Sequence, residues 1–239
     1  FAMAQQDVRY YLTGMLFEVT ANQLRTVTTD GHRLALFDAH AEASPSEKIQ
    51  VIVPRKWVQE LQRLLNDEDS ALHLTFGNNH LQVTLPITAN KKKEDDNTVE
   101  GFVSFTSKLI DGKFPDYQRV LPRGGDKNVL LSHEDFKSAL QRVAILTNEK
   151  YKGVKFILKN NDLCIQANNP EQEEAREELA VEYVGDDLEI AFNVQYLLDV
   201  LNVLEGVNTK LILSDSNASI LVQETDSQDA VYVVMPMRL

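Results

Sequence analysis

Five histidines, a single cysteine and 36 carboxylates are the side chains here that could act on a substrate or hold a metal. The histidines, His32, His40, His73, His80 and His133, stand singly, with no HExxH, HxH or Cys/His pairing. A metal site therefore has little support, because such sites draw several ligands from short spacings. No GxGxxG, Walker or GxSxG pattern exists to cradle a phosphate or expose a nucleophile. Carboxylates are densest at Glu171, Glu173, Glu174, Glu177 and Glu178. A cluster like that could do acid/base work on a sugar or bind a divalent ion. It also fits a solvated strand edge, since nothing beside it would raise a carboxyl pKa. Asp30-Gly31-His32-Arg33 has reactive residue types, but Asp-Gly is also ordinary turn chemistry. Cys164, in Asp162-Leu163-Cys164-Ile165, reads as a packed strand residue. We expect no catalytic residue, no metal and no cofactor.

The elements that would carry these residues repeat. Gly14-Met15-Leu16-Phe17 aligns with Gly153-Val154-Lys155-Phe156 at an offset of 139, and Asn22-Gln23-Leu24 with Asn161-Asp162-Leu163 at the same offset. Val53-Pro54-Arg55-Lys56-Trp57-Val58 aligns likewise with Phe192-Asn193-Val194-Gln195-Tyr196-Leu197. Each copy reads as a glycine, two alternating strands, a third strand or loop, an amphipathic helix and a hairpin. In the first copy Pro54 suits a first helical turn, and Trp57, Val58, Leu61, Leu64 and Leu65 form the apolar stripe. In the second, Asn193 is the N-cap, and Tyr196, Leu197, Val200, Leu201 and Leu204 form the stripe.

The hairpins fall at Leu72–Phe76 with Leu81–Leu85, and at Lys210–Leu213 with Ser219–Gln223. A further helix opens the second copy, with Ser132 as N-cap and Phe136, Ala139, Leu140 and Val143 facing the core. Its first-copy counterpart would end near Phe1. The Pro/Gly-rich stretch Leu121 to Asp126 sets the domain boundary, giving domains 1–122 and 123–239 and an α+β fold. Thr88 to Gly101, with lysine and carboxylate blocks side by side, predicts a long solvated loop.

A chain of 239 residues with 43% hydrophobic content can bury two cores. No apolar run is long enough to span a membrane, and no secretory signal opens the chain. The lone cysteine excludes an internal disulfide and fits a reducing, cytoplasmic setting. A net charge of −12 taken alone opposes nucleic-acid binding, so the distribution of basic residues must decide.

Several strings, spread in order over nearly the whole chain, resemble the bacterial DNA sliding clamps, the beta subunits of DNA polymerase III. They are Gln6 to Leu12 (QDVRYYL), Thr29 to Ala35 (TDGHRLA), Val51 to Lys56 (VIVPRK), Thr106 to Tyr117 (TSKLIDGKFPDY), Asn168 to Glu174 (NNPEQEE) and Val233 to Leu239 (VVMPMRL). The resemblance covers the second and third of that family's three domains. Each is a pseudo-duplicated helix-plus-antiparallel-sheet unit, with helices on one face and sheets outside. It implies a non-catalytic processivity factor, a head-to-tail homodimeric ring around duplex DNA when full length. The fragment alone is expected to be monomeric.

The DNA candidates by resemblance are Arg9, Tyr10, Tyr11, Arg55 and Lys56, joined by Lys137 and Arg142 on the second-copy helix. The resemblance also implies a hydrophobic groove for QLxLF-like peptides of the polymerase III alpha subunit, the clamp loader and other polymerases or repair proteins. Matching groove positions in the first half are Arg9, Leu12, Thr29, Gly31, His32, Arg33 and Leu34. Pro115, Arg119, Val120, Asn193, Tyr196 and Ser219 continue it, and Val233, Met235, Pro236, Met237 and Arg238 close it. Asn217 stands where the family often has an apolar residue. Ile145 and Leu146 match the subunit interface. An enzyme built on the Glu171 cluster, or a repeat module unrelated to DNA, remain the alternatives.

Overall fold

A computed structural model describes residues 1–65, 71–88, 99–122, 124–148 and 150–238. In chain order the strands and helices begin β1 (Gly14–Thr20), β2 (Gln23–Thr29), β3 (Arg33–His40), β4 (Ile49–Pro54), α1 (Arg55–Leu64), β5 (His73–Phe76), β6 (His80–Thr88) and β7 (Val99–Lys108). They continue β8 (Lys127–Ser132), α2 (His133–Ala144), β9 (Gly153–Lys159), β10 (Asp162–Asn168), β11 (Glu174–Ala180), β12 (Leu188–Asn193), α3 (Val194–Leu201), β13 (Asn208–Leu213), β14 (Ile220–Glu224) and β15 (Ala230–Val234). They fall into two compact units. The first holds Met3–Thr28 and His40–Phe114, the second Phe1–Ala2, Thr29–Ala39 and Pro115–Leu239.

The repeat is visible in backbone detail. Gly14 pairs with Pro54 across β1 and β4, and Gly153 pairs with Asn193 across β9 and β12. Asn22 and Asn161, the equivalent hairpin residues, adopt φ of 59° and 57°. Asparagine tolerates that left-handed conformation better than most residues, so the same residue recurs at both turns.

In the first unit, β1 is flanked by β2 and β4, and a second sheet runs β5-β6-β7. α1 contributes Trp57 and Leu61 to a core with Phe17, Val53, Leu81, Val83 and Leu85. Trp57 stacks on Phe105 at 5.4 Å and meets Phe17 edge-on at 6.5 Å. Two expectations for α1 change. Pro54 occupies the N-cap position at the end of β4, because its fixed φ also suits extended backbone. Leu64, the last residue of α1, and Leu65, just past its end, are 43% and 41% exposed, so the stripe is fully buried only at Trp57 and Leu61. Of the expected loop, Thr88 closes β6 and Val99–Gly101 open β7, while 89–98 lie outside the described residues.

Gly14 admits no larger residue. A Cβ there would sit 2.6 Å from the Val53 carbonyl oxygen and 2.7 Å from Ile52 Cγ2. Gly14→Ala should therefore lower the unfolding free energy by about 2 kcal/mol, measured by urea denaturation.

In the second unit, β9 lies between β10 and β12 with β11 at the edge, and β13 lies between β8 and β14. α2 packs on α3, β10 and β11. Ser132 caps α2, its hydroxyl accepting from Asp135 N at 3.3 Å, and Phe136, Ala139, Leu140 and Val143 are all buried. Asn193 caps α3 by accepting from Gln195 N at 2.9 Å. The second-copy helix ends at Leu201 instead of Leu204, yet a last turn through Leu204 N to Val200 O keeps Leu204 inside. Cys164 is 3% exposed, and burial pushes its thiol pKa up. Among the described residues no helix is long and apolar enough to cross a membrane.

Candidate peptide-binding site

The second unit carries an open cleft of about 610 Å³ lined by Arg119, Val120, Leu121, Pro122, Ser214, Asn217, Ala218, Ser219 and Met235. One wall grows from Pro115-Asp116-Tyr117. Tyr117 is 4% exposed and anchors a 3-10 turn, Tyr117–Arg119. Asp116 Oδ2 accepts from Arg119 Nε at 2.9 Å, and Val120 is left 37% exposed above the turn. The opposite wall is the β13–β14 connection. There Asp215 Oδ1 accepts from Asn217 N at 2.8 Å and its carbonyl accepts from Ala218 N at 3.3 Å, a self-bonded Asx turn.

Met235 enters because the chain end is docked. Its N–H donates to His32 O at 2.9 Å, and Met237 N–H donates to Ala191 O at 2.7 Å. The peptide after β15 is thus tied to β3's entry at one point and to β12 at the next. A flexible thioether in a half-exposed position suits a surface that accepts varied apolar side chains.

Beside the chain end lies a second cluster. In the turn before β3, Asp30 Oδ1 accepts from the N–H groups of His32 and Arg33 at 2.9 and 3.1 Å, and Gly31 takes φ 91°. Arg33 lies over the Tyr196 ring at 4.5 Å, and His32 stacks on the same ring at 6.3 Å and 21°. Burial, then the Asp30 charge, pushes the Tyr196 phenol pKa up.

The groove positions named from sequence divide accordingly. Arg119, Val120, Ser219 and Met235 line the cleft. Thr29, Gly31, His32, Arg33, Asn193 and Tyr196 build the cluster: Thr29 Oγ1 caps Gly31 N at 3.1 Å, and Asn193 starts α3. Pro115 and Arg238 are exposed, and Pro236 and Met237 are half-buried. Leu12, Leu34 and Val233 are each 2% exposed; Leu34 and Val233, paired across β3 and β15, lie beneath the surface of the second unit. Leu12 and Arg9 belong to the first unit. Sequence reasoning took Leu121 and Pro122 as linker and passed over Ser214, Ala218 and Asp199. The first pair directly follows Val120, and Asp199 lies one helical turn from Tyr196, a spacing that could have brought it in.

The basic residues named for DNA are mostly engaged. Arg9 grips Asp7 through two nitrogens at 3.0 and 2.7 Å, which holds the Asp7 carboxyl down to about 2. Tyr10 is 56% exposed and meets Tyr11 edge-on at 5.8 Å. Arg55 Nη1 donates to Met3 O at 2.9 Å, whereas Lys56 is exposed. On α2, Lys137 is half-buried. Arg142 makes a bidentate pair with Glu177 at 2.8 and 2.7 Å, which lowers the Glu177 pKa. Glu177 and Glu178 lie on the edge strand β11, where Arg176 pairs with Glu178 at 2.7 Å. Among the described residues no group of His, Cys, Asp or Glu is arranged to hold a metal. Ile145, just past α2, is 78% exposed, and Leu146 is half-buried.

Two family models match end to end: the DNA polymerase III beta subunit central domain over residues 1–116 and its C-terminal domain over residues 118–238. The chain belongs to the DNA polymerase III beta-subunit family. A beta sliding clamp of Pseudomonas aeruginosa is 54% identical over 239 residues, covering 100% of this chain and 61% of the relative. One of Escherichia coli K12 is 49% identical over 240 residues with the same coverage. The chain thus spans about three-fifths of the length of these beta subunits. Among solved structures, a P. aeruginosa DNA polymerase sliding clamp with ligand superposes with a TM-score of 0.91 at 54% identity, over 100% of this chain and 61% of that one. A P. aeruginosa clamp bound to griselimycin superposes at 0.90, also at 54% identity with the same coverage. These matches make the α+β reading, with its clamp domains, the architecture of the family.

Proposed function

We propose that this chain is the peptide-binding and DNA-encircling part of a replicative sliding clamp, without catalytic activity of its own. The carrying observation is the cleft around Met235, built by a chain end that is hydrogen-bonded into place, in a chain of the beta-subunit family. The cleft and the neighbouring Tyr196 cluster take short tails with apolar anchors, of the QLxLF kind, from the polymerase III alpha subunit, the clamp loader and other polymerases or repair proteins. Duplex DNA is held by enclosure. Weak phosphate contacts suit sliding, because each strong one would add salt-dependent grip. Arg9, Arg55 and Arg142, already paired within the protein, then act as tempered positive charge, with Lys56, Lys137 and the Tyr10–Tyr11 pair beside them. The net charge of −12 keeps stray DNA off the remaining surface. The site of action is the bacterial cytoplasm, at the nucleoid.

Ile145 and Leu146 belong to the surface that closes the dimeric ring of the full-length protein. The 239 residues alone should sediment as a monomer; a dimer that persists on dilution would contradict this. The groove is tested by titrating a fluorescent Gln-Leu-Ser-Leu-Phe peptide. Binding should be saturable, and Met235→Ala should weaken it about tenfold, or ~1.4 kcal/mol. Unchanged affinity in Met235→Ala would move the site away from the cleft.

A further inference from the structure

Arg33 has every nitrogen of its guanidinium engaged. Nε donates to Asp30 Oδ2 at 3.1 Å, Nη1 to Asp199 Oδ2, and Nη2 to the Phe1 carbonyl at 3.4 Å. Its side chain is 12% exposed. The Asp30 contact is local, three residues away on the same turn. Asp199 is 166 residues distant and comes from α3. It is itself fixed, its other oxygen accepting from Gln195 Nε2 at 2.9 Å, while Gln195 N is held by the Asn193 cap. Asp199 does not line the cleft.

A guanidinium is planar, so bonds at three nitrogens fix its plane. Without Asp199 there remain the Nε bond to Asp30 and an Nη2 contact with the Phe1 carbonyl that, at 3.4 Å, is longer than an ordinary hydrogen bond and holds the plane weakly. That plane is the surface on which Tyr196 lies at 4.5 Å, and Tyr196 in turn carries His32. We propose that Asp199 is a positioning residue for the peptide groove: through Arg33 it sets the tilt of the Tyr196 and His32 rings, the flat wall on which a bound peptide's apolar side chain rests. This rests on the peptide-groove reading. Asp199 and Tyr196 sit three apart on α3, so one helical face supplies both the ring and the anchor of its support. Asp30 holds Arg33 at Nε through Oδ2, while its Oδ1 accepts from the backbone N–H groups of His32 and Arg33.

The test titrates the fluorescent Gln-Leu-Ser-Leu-Phe peptide against the whole chain and against Asp199→Asn, Asp199→Glu, Arg33→Lys and the Arg33→Lys/Asp199→Asn pair. Tyrosine ring resonances of the peptide-free proteins are followed by NMR. Asp199→Asn should weaken binding about fivefold and shift the Tyr196 ring signals, and Asp199→Glu should recover part of both. The double variant should be no weaker than Arg33→Lys alone. Tight peptide binding by Asp199→Asn with Tyr196 unmoved would overturn the proposal and leave the groove standing, as would losses that simply add in the double variant. No binding by the unsubstituted chain would overturn the groove reading itself. Should Asp199→Asn unfold, Asp199→Glu decides: a moved ring with weakened binding supports the role, and a moved ring with full affinity overturns it.

Discussion

Phe156→Ala should lower the unfolding free energy of the chain by about 4 kcal/mol, in the range of buried phenylalanine truncations. Phe156 is 1% exposed at the centre of β9, paired with Ile165 of β10 on one side and Ile190 of β12 on the other. Its ring meets Phe136 of α2 edge-on at 5.9 Å and Phe192 of β12 at 5.4 Å. Truncation removes one ring contact between α2 and the sheet it covers, and two aromatic pairs lose their partner at once. The hole cannot close easily, because β9 is held by hydrogen bonds on both edges. Urea denaturation followed by circular dichroism gives the value. A loss under about 1 kcal/mol would mean that the helix and sheet repack, against the tight core described here.

Ala218→Trp should abolish most peptide binding, with affinity falling more than about thirtyfold, ~2 kcal/mol, while stability stays near that of the parent. Ala218 is half-buried on the wall of the cleft, between the Asp215 turn and Ser219. The turn is held by backbone hydrogen bonds and by the Asp215 side chain, which a change at the Ala218 Cβ leaves in place. Because Ala218 lines the cleft, an indole there should take up volume that a leucine or phenylalanine anchor would occupy. The same fluorescent peptide measures the loss, and a melting curve checks the fold. Retained affinity would place the peptide elsewhere.

The repeat was legible because both periodicities and the turn asparagines Asn22 and Asn161 recur at one offset, and Ser132 caps α2 as its type dictates. Helix ends were less so. Leu64, Leu65 and Leu204 are all leucines at helical spacing, yet the first two face solvent and the third is buried past the helix end. Spacing records which face a residue takes while the helix lasts, as Leu64 does at the end of α1, but neither where the helix stops nor whether another segment covers that face.

For the site, the resemblance supplied Met235, Met237 and most of the remainder. The Arg33–Asp199 contact was hidden because a charged pair 166 residues apart leaves no local pattern. Composition misled on charge in a similar way. Several arginines that look available in the sequence are already paired, Arg9 to Asp7 and Arg142 to Glu177.

The groove itself is most directly tested by cross-linking. A Gln-Leu-Ser-Leu-Phe peptide with benzoylphenylalanine as its last residue would be irradiated with the chain and the adducts mapped by mass spectrometry. Adducts should concentrate on Arg119 to Pro122, Ser214 to Ser219 and Met235, and excess unlabelled peptide should remove them. Adducts concentrated on α1 or β11, or labelling that excess peptide does not suppress, would contradict the account.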